Sequence, residues 1–188
     1  MTSQVRIEQP PAVVPPDPMK IIELRRHTDN DGDQLTDEGI TAAEQIGHRL
    51  HPPYDMFVSS GAARASQTVR IWRSAVGGQA PVEEQTRLRS RHEDRWREAY
   101  KSAGSGELAR MRDADPELVR EDSATLAAAL QEIFDRLPDG GRALAVGHSP
   151  TNEAAVLGLT GEFVDPIDKG AGVLVIQEAG SYRVEPVT

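Results

Sequence analysis

Cysteine is absent from all 188 residues. Disulfides, thiolate nucleophiles and cysteine-held zinc or iron–sulfur sites are therefore excluded. A chain without disulfides suits a reducing compartment, and a cytoplasmic location is expected. Positive charge is also in short supply. The 21 Lys and Arg stand against 30 Asp and Glu, which gives a formal net charge of −9 and a pI near 5.0. No basic stripe organises the chain for nucleic acid, so none is expected as a partner. An anionic substrate would need a local cationic pocket set into this acidic background. No run of about 18 apolar residues occurs, which excludes a transmembrane helix and leaves no expectation of a membrane partner. The first residues, MTSQVRIEQPPAVVPPDP, lack the apolar stretch of a secretory signal. No internal repeat is visible.

What is present fits a soluble globular protein. Hydrophobic residues make up 38% and charged residues 27%, enough to bury a core. Residues 1–18 are too proline-dense for a helix and are expected to form an extended tail. Residues 19–188 are expected to form a single domain.

From Met19 the chain alternates. Met19 to Arg25 reads as a short buried strand. Thr36 is a credible N-cap for a helix with Ile40, Ala43, Ile46, Gly47 and Leu50 on its inner face, closed by Pro52-Pro53. Tyr54 to Ser59 reads as a strand, and Arg64 to Ala75 as a helix ended by Gly77-Gly78. The stretch 80–120 is charged and irregular, and is expected to run as short helices over one end of the sheet. Asp122 to Leu137 is an amphipathic helix. Arg142 to Val146 is a strand, Thr151 to Leu159 a helix, and Ala171 to Val187 a hairpin at a sheet edge. The expected fold is a three-layer α/β/α sandwich with a mostly parallel central sheet and a C-terminal edge hairpin.

Three strand ends carry related polar residues: Arg26-His27-Thr28, Ser59-Ser60-Gly61 with Arg64 shortly after, and Gly147-His148. Open α/β sheets bind ligands outside the carboxyl ends of their strands. Two arginines and two histidines gathered there would make an anion pocket. A guanidinium matches phosphate oxygens and stays charged, while a neutral histidine can act as a nucleophile. Helix N-termini near Ala62 and Thr151 would add backbone N–H groups.

These segments resemble the signatures of the histidine phosphatase superfamily, also called the phosphoglycerate mutase-like family. Leu24-Arg-Arg-His27 is similar to its Arg-His strand end, and Leu35-Thr-Asp-Glu-Gly39 to its "L-T-x-x-G" helix start. Val58 to Thr68 is similar to its "S-S-x-x-x-R-A-x-x-T" segment, and Ala145-Val-Gly-His148 to its late "V-x-H" strand end. The four occur in family order. The resemblance implies that His27 forms a phosphohistidine, that Arg26 and Arg64 clamp the phosphoryl oxygens, and that His148 stabilises the transferring charge. It implies no metal and no cofactor. Thr28 and Asn30 are expected to join Arg26, Arg64 and His148 in contacting substrate.

Two departures stand out. The family reads Arg-His-Gly, but here the third residue is Thr28, which implies a tolerant turn or a hydroxyl at the pocket rim. Many members carry a general acid in an "L-R-E" segment about six residues before a tryptophan. Here Leu88-Arg-Ser90 precedes Trp96 at that spacing, so an ungapped match puts Ser90 on the acid. Glu93 is the favoured acid, with Asp94 and Glu98 as alternatives, or no acid at all. Arg87, Arg89, Arg91, Arg95 and Arg97 read as a solvated charged helix or as a cationic pocket entrance. His48, His51 and His92 read as ordinary surface or core residues. Asp29 to Asp33 lacks the glycine placement and terminal glutamate of a calcium loop.

The expected activity is hydrolysis of a phosphomonoester or phosphoramidate on a small molecule or phosphoprotein. A phosphohistidine-protein phosphatase is the alternative within the family. A non-catalytic phosphate-binding module is the alternative outside it.

Overall fold

The computed structural model of the protein describes residues 18–188, so the expected tail lies outside the described residues except for Pro18. The chain runs through β1 (Lys20–Arg26), a small hairpin of β2 (Asn30–Asp31) and β3 (Gln34–Leu35), α1 (Asp37–Gly47), β4 (Met56–Ser59) and α2 (Ala63–Ala75). It continues through β5 (Val82–Glu84), one 3-10 turn at Thr86–Leu88, α3 (Glu93–Ala103), α4 (Leu108–Ala114) and α5 (Pro116–Arg136). It ends with β6 (Arg142–Gly147), α6 (Thr151–Thr160) and the hairpin of β7 (Gly172–Glu178) and β8 (Ser181–Val187).

Six strands form one sheet in the order β5-β4-β6-β1-β7-β8. The first four run parallel, while β7 and β8 join antiparallel at the edge. Ala179 and Gly180 turn that hairpin with φ of 51° and 75°, the pair of positive values that a tight two-residue hairpin needs.

Strand alternation divides the core in two. Ile22, Leu24, Met56, Val58, Ala143 and Ala145 face Leu126, Leu130, Ile133 and Phe134 of α5. Phe57, Leu144 and Val146 face Ala43 of α1 and Val69 and Trp72 of α2. The three-layer sandwich is therefore present, as expected. The second face also holds a buried ionic cluster. Glu23 is 2% exposed and accepts Arg25 Nε, the Tyr54 hydroxyl and Arg142 Nη2, each at 2.7 Å. Burial alone would raise the Glu23 carboxyl, but Arg25, Tyr54 and Arg142 hold it below the usual range.

Several expectations need correction. Helix α5 begins at Pro116 rather than Asp122, because Asp115 caps it by accepting Leu118 N–H at 3.1 Å and proline suits the first turn. Ile40, expected on the inner face of α1, is 39% exposed. The irregular middle contains the edge strand β5 as well as short helices. The polar stretch after His27, unassigned from the sequence, folds as the β2–β3 hairpin.

Candidate active site

The parallel register of β1 and β6 pairs Arg26 with Gly147. One residue further on, His27 N–H donates to the Gly147 carbonyl at 3.2 Å. His27 and His148 thus leave adjacent strand ends together, with ring centroids 5.2 Å apart. Gly147 permits this junction because a Cβ there would meet Asn152 Oδ1 at 2.3 Å. That oxygen accepts the His148 N–H at 3.2 Å, and Asn152 Nδ2 donates to the Arg25 carbonyl at 3.1 Å. Asn152 therefore ties the two histidine-bearing strand ends to one another.

Hydrogen bonds set the tautomer of each ring. His27 Nδ1 lies 2.7 Å from the Thr28 carbonyl. A carbonyl only accepts, so Nδ1 carries the proton and Nε2 keeps its lone pair. Arg64 Nε donates to that lone pair at 3.2 Å. Arg64 Nη2 lies 3.2 Å from His148 Nδ1 and can only donate, so the His148 proton sits on Nε2 and points at Ser60 Oγ, 2.7 Å away. Burial, opposed by the Thr28 bond and reinforced by Arg64, Arg26 and Lys169, pushes His27 down to about 4. Burial, Arg64 and His27 push His148 down to about 2. Both rings are neutral near pH 7. The His148 ring thus meets Arg64 as a neutral acceptor.

Arg64 organises the site. It lies in the first turn of α2, whose N-cap residue Ala62 has no capping side chain. Asp33, at the tip of the β2–β3 hairpin, supplies the cap instead. Its carboxylate accepts Ala63 N–H at 3.2 Å, Arg64 N–H at 3.4 Å and Arg64 Nη1 at 2.8 Å. The anion seat expected at this helix start is therefore filled by the protein's own carboxylate.

Arg64 and His148 line a cavity of about 260 Å³ together with Arg89, Glu93, Trp96 and Ser149. Glu93 is thus one of the residues on the cavity wall. Its Oε1 accepts Arg89 Nε at 2.5 Å, and Arg89, against the opposing effect of burial, holds the carboxyl below the usual range. Asp94 pairs with Arg97 and Glu98 with Lys101, both exposed along α3. The arginine cluster divides. Arg89 and Arg97 line this cavity, Arg87 and Arg91 face a second one beside it, and Arg95 pairs with Asp115.

Three expected substrate contacts lie elsewhere. Arg26 follows the face of β1 that carries Ile22 and Leu24, so its Nη1 donates to the Ile167 carbonyl at 2.9 Å, and it does not line the cavity. Thr28 is 1% exposed, with its hydroxyl buried and unpartnered rather than at the rim. Asn30 spends its amide inside the hairpin, donating to the Gly32 carbonyl at 2.8 Å and accepting Lys169 Nζ at 3.0 Å. Asp33, Ser60, Asn152 and Lys169 went unread in the sequence. Of these, Ser60 sat in the Val58 to Thr68 segment and Asp33 in the acidic stretch from Asp29, both already singled out. Among the described residues, no group of three or more His, Asp or Glu side chains is arranged to hold a metal ion, and no helix is long and apolar enough to cross a membrane.

The fold and site define an α/β protein with a paired-histidine, arginine-bridged pocket at the carboxyl edge of a parallel sheet. Residues 22–172 match the model of the histidine phosphatase superfamily (branch 1), and the chain belongs to that family. Phosphoglycerate mutase from Bacillus anthracis str. Sterne superposes with a TM-score of 0.70 at 19% identity, over 91% of this chain and 93% of that one. Bacillus stearothermophilus YhfR gives 0.66 at 20% identity, over 89% and 96%. The protein histidine phosphatase SixA, in a complex with tungstate, gives 0.59 at 17% identity, also over 89% and 96%. No match was found among curated proteins.

Proposed function

We propose that the chain is a phosphatase that hydrolyses a phosphomonoester or phosphoramidate through a phosphohistidine on His27, without a metal. The observation that carries this reading is the His27 tautomer. The Thr28 carbonyl fixes the proton on Nδ1, and Nε2 holds its lone pair against the Nε of Arg64, a residue that lines the cavity. A neutral imidazole so held is a ready nucleophile at neutral pH.

Substrate binding draws the Arg64 fork from Nε2 onto the phosphoryl oxygens. Nε2 attacks phosphorus in line, the Nε2–P bond forms, and the bond from phosphorus to the leaving group breaks. Arg64 and His148 hold the equatorial oxygens, and Arg26 adds charge from behind His27. Water then attacks phosphorus, the Nε2–P bond breaks, and phosphate leaves. Glu93 stands on the cavity wall in an ion pair with Arg89, and the proton of the attacking water passes to a base on the same wall.

One observation favours a phosphoramidate, including a protein phosphohistidine, as a second reading. The cavity-lining carboxylate is held ionised, which suits a leaving group that departs with little acid assistance.

His27→Ala assayed on p-nitrophenyl phosphate and on a phosphohistidine peptide tests the proposal. Loss of turnover on both substrates is expected, and undiminished turnover overturns it. Titration calorimetry with phosphate, run beside the same assay on the unaltered chain, separates catalysis from mere binding. Binding without turnover identifies a phosphate-binding module instead.

A further inference from the structure

The segment Arg89-Ser90 forms a wall between two cavities. On one side is the cavity of about 260 Å³ that Arg64 and His148 line. On the other is one of about 600 Å³, lined by Arg87, Arg91, His92, Asp122 and Thr125. Arg89 and Ser90 belong to both.

Within this wall the Ser90 hydroxyl donates to Asp122 Oδ2 and accepts the His92 N–H at 2.8 Å. Trp96 Nε1 donates to the same Asp122 oxygen at 2.7 Å. Asp122 arrives from α5 and is 7% exposed. Its hydrogen bonds come from the neutral donors Ser90 and Trp96, whereas Glu93 is tied to the cation Arg89. Ser90, which holds the Asp122 carboxylate, itself lines the cavity of Arg64 and His148.

We propose that Ser90 is the catalytic residue that deprotonates the water attacking the phosphohistidine, with Asp122 as the positioning residue that orients the hydroxyl and takes its proton. The proposal rests on His27 as nucleophile. As the water oxygen bonds to phosphorus, its proton passes to Ser90 Oγ and the Ser90 proton passes to Asp122. The Nε2–P bond breaks, and its electron pair returns to Nε2. Asp122, now protonated, returns the proton through Ser90 to the next leaving group or releases it to solvent through the second cavity. The carboxylate is thus set back by one hydroxyl from the cavity.

Rapid-mixing kinetics with p-nitrophenyl phosphate test this, because nitrophenolate departs without acid help and isolates the second half-reaction. Asp122→Asn keeps polar contacts to Trp96 and Ser90. It should release one nitrophenolate per chain in a burst, hold phosphohistidine at His27, and lose about 100-fold in steady-state rate. Ser90→Ala should do the same, and Ser90→Thr should restore the rate. Ser90→Glu in the Asp122→Asn background puts a carboxylate directly on the cavity and should also restore it. The relay is overturned if both single variants decay within threefold of the unaltered chain, or if Glu93→Gln alone traps the phosphohistidine. Absence of any phosphohistidine on the unaltered chain overturns the His27 reading, and the relay with it. Normal phosphohistidine with normal decay in Asp122→Asn overturns the relay alone.

Discussion

Arg64 Nη1 and Asp33 Oδ1 lie 2.8 Å apart, and this contact completes the fixing of the Arg64 guanidinium. One edge of the fork meets His27, a second meets His148, and the third is held by a carboxylate that also caps α2. Asp33→Ala should lower the unfolding free energy by about 1 kcal/mol through the lost cap. It should also lower kcat by 10- to 100-fold through the lost aim of Arg64, on the scale expected for small misplacements. Asp33→Asn can still cap and should recover stability more than kcat. Denaturant melts beside steady-state assays read the two effects separately.

Acid should unfold the protein from an unusually high pH. Unfolded histidines take up protons near pH 6.5, whereas folded His27 does so only near 4 and His148 near 2. Between pH 6.5 and 4 the unfolded chain therefore binds more protons than the folded one. Stability is fully present above pH 6.5 and falls as the pH drops, by at most about 1.4 kcal/mol per pH unit for each ring. His27→Gln should remove about half of that slope in urea melts at pH 7, 6, 5 and 4. An unchanged slope would mean that the two rings are not held neutral by burial.

The buried Glu23 cluster makes a prediction about stability alone. Glu23→Ala leaves Arg25 without its carboxylate at 5% exposure and removes the acceptor of the Tyr54 hydroxyl. Breaking one side of a buried ion pair costs about 3–5 kcal/mol. The variant should unfold at much lower urea while retaining its KM, because Glu23 lies away from the cavity.

The meeting of His27, His148 and Arg64 was legible because each sits inside a contiguous motif at a strand end. The alternation of strands and helices made the sandwich legible in the same way. Arg26 is next to His27 in sequence, yet the two-residue period of β1 gives it the side of Ile22 and Leu24, where it meets the Ile167 carbonyl. That direction could have been read from Ile22 and Leu24. Asp33 could not, since its partner is 31 residues away and nothing local marks a hairpin tip as a helix cap. Asp122 was read only as the start of a helix. The true cap, Asp115 before Pro116, was a stronger stop-and-start signal that the charge of the segment masked.

The glycine of the "L-T-x-x-G" segment has a steric reason, and this gives a fourth test. A Cβ on Gly39 would lie 2.0 Å from the Asp29 carbonyl oxygen. Asp29 leads into the hairpin that carries Asp33, so the backbone shift forced by Gly39→Ala should reach Arg64. Overpacking of this kind costs about 1–3 kcal/mol. Turnover should fall with stability, and an unaltered kcat would separate the hairpin from the site.

Gly147 and Asn152 form the remaining testable pair. Gly147→Ala pushes a methyl group into the Asn152 amide, which lies where the two histidine-bearing strands are stapled. Asn152→Ala instead removes the amide and leaves the His148 N–H and the Arg25 carbonyl short of partners, at about 1–3 kcal/mol. The two changes share one volume and should not add. In the double variant the new methyl enters space the amide has vacated, so its loss of stability should be smaller than the sum of the single losses. Its activity should stay low, because a methyl group donates and accepts nothing and the strand ends remain unstapled. A double variant that regains kcat as well would show that Asn152 only fills space. One that regains stability without kcat places the alignment of His27 and His148 in the hydrogen bonds of a single buried side chain.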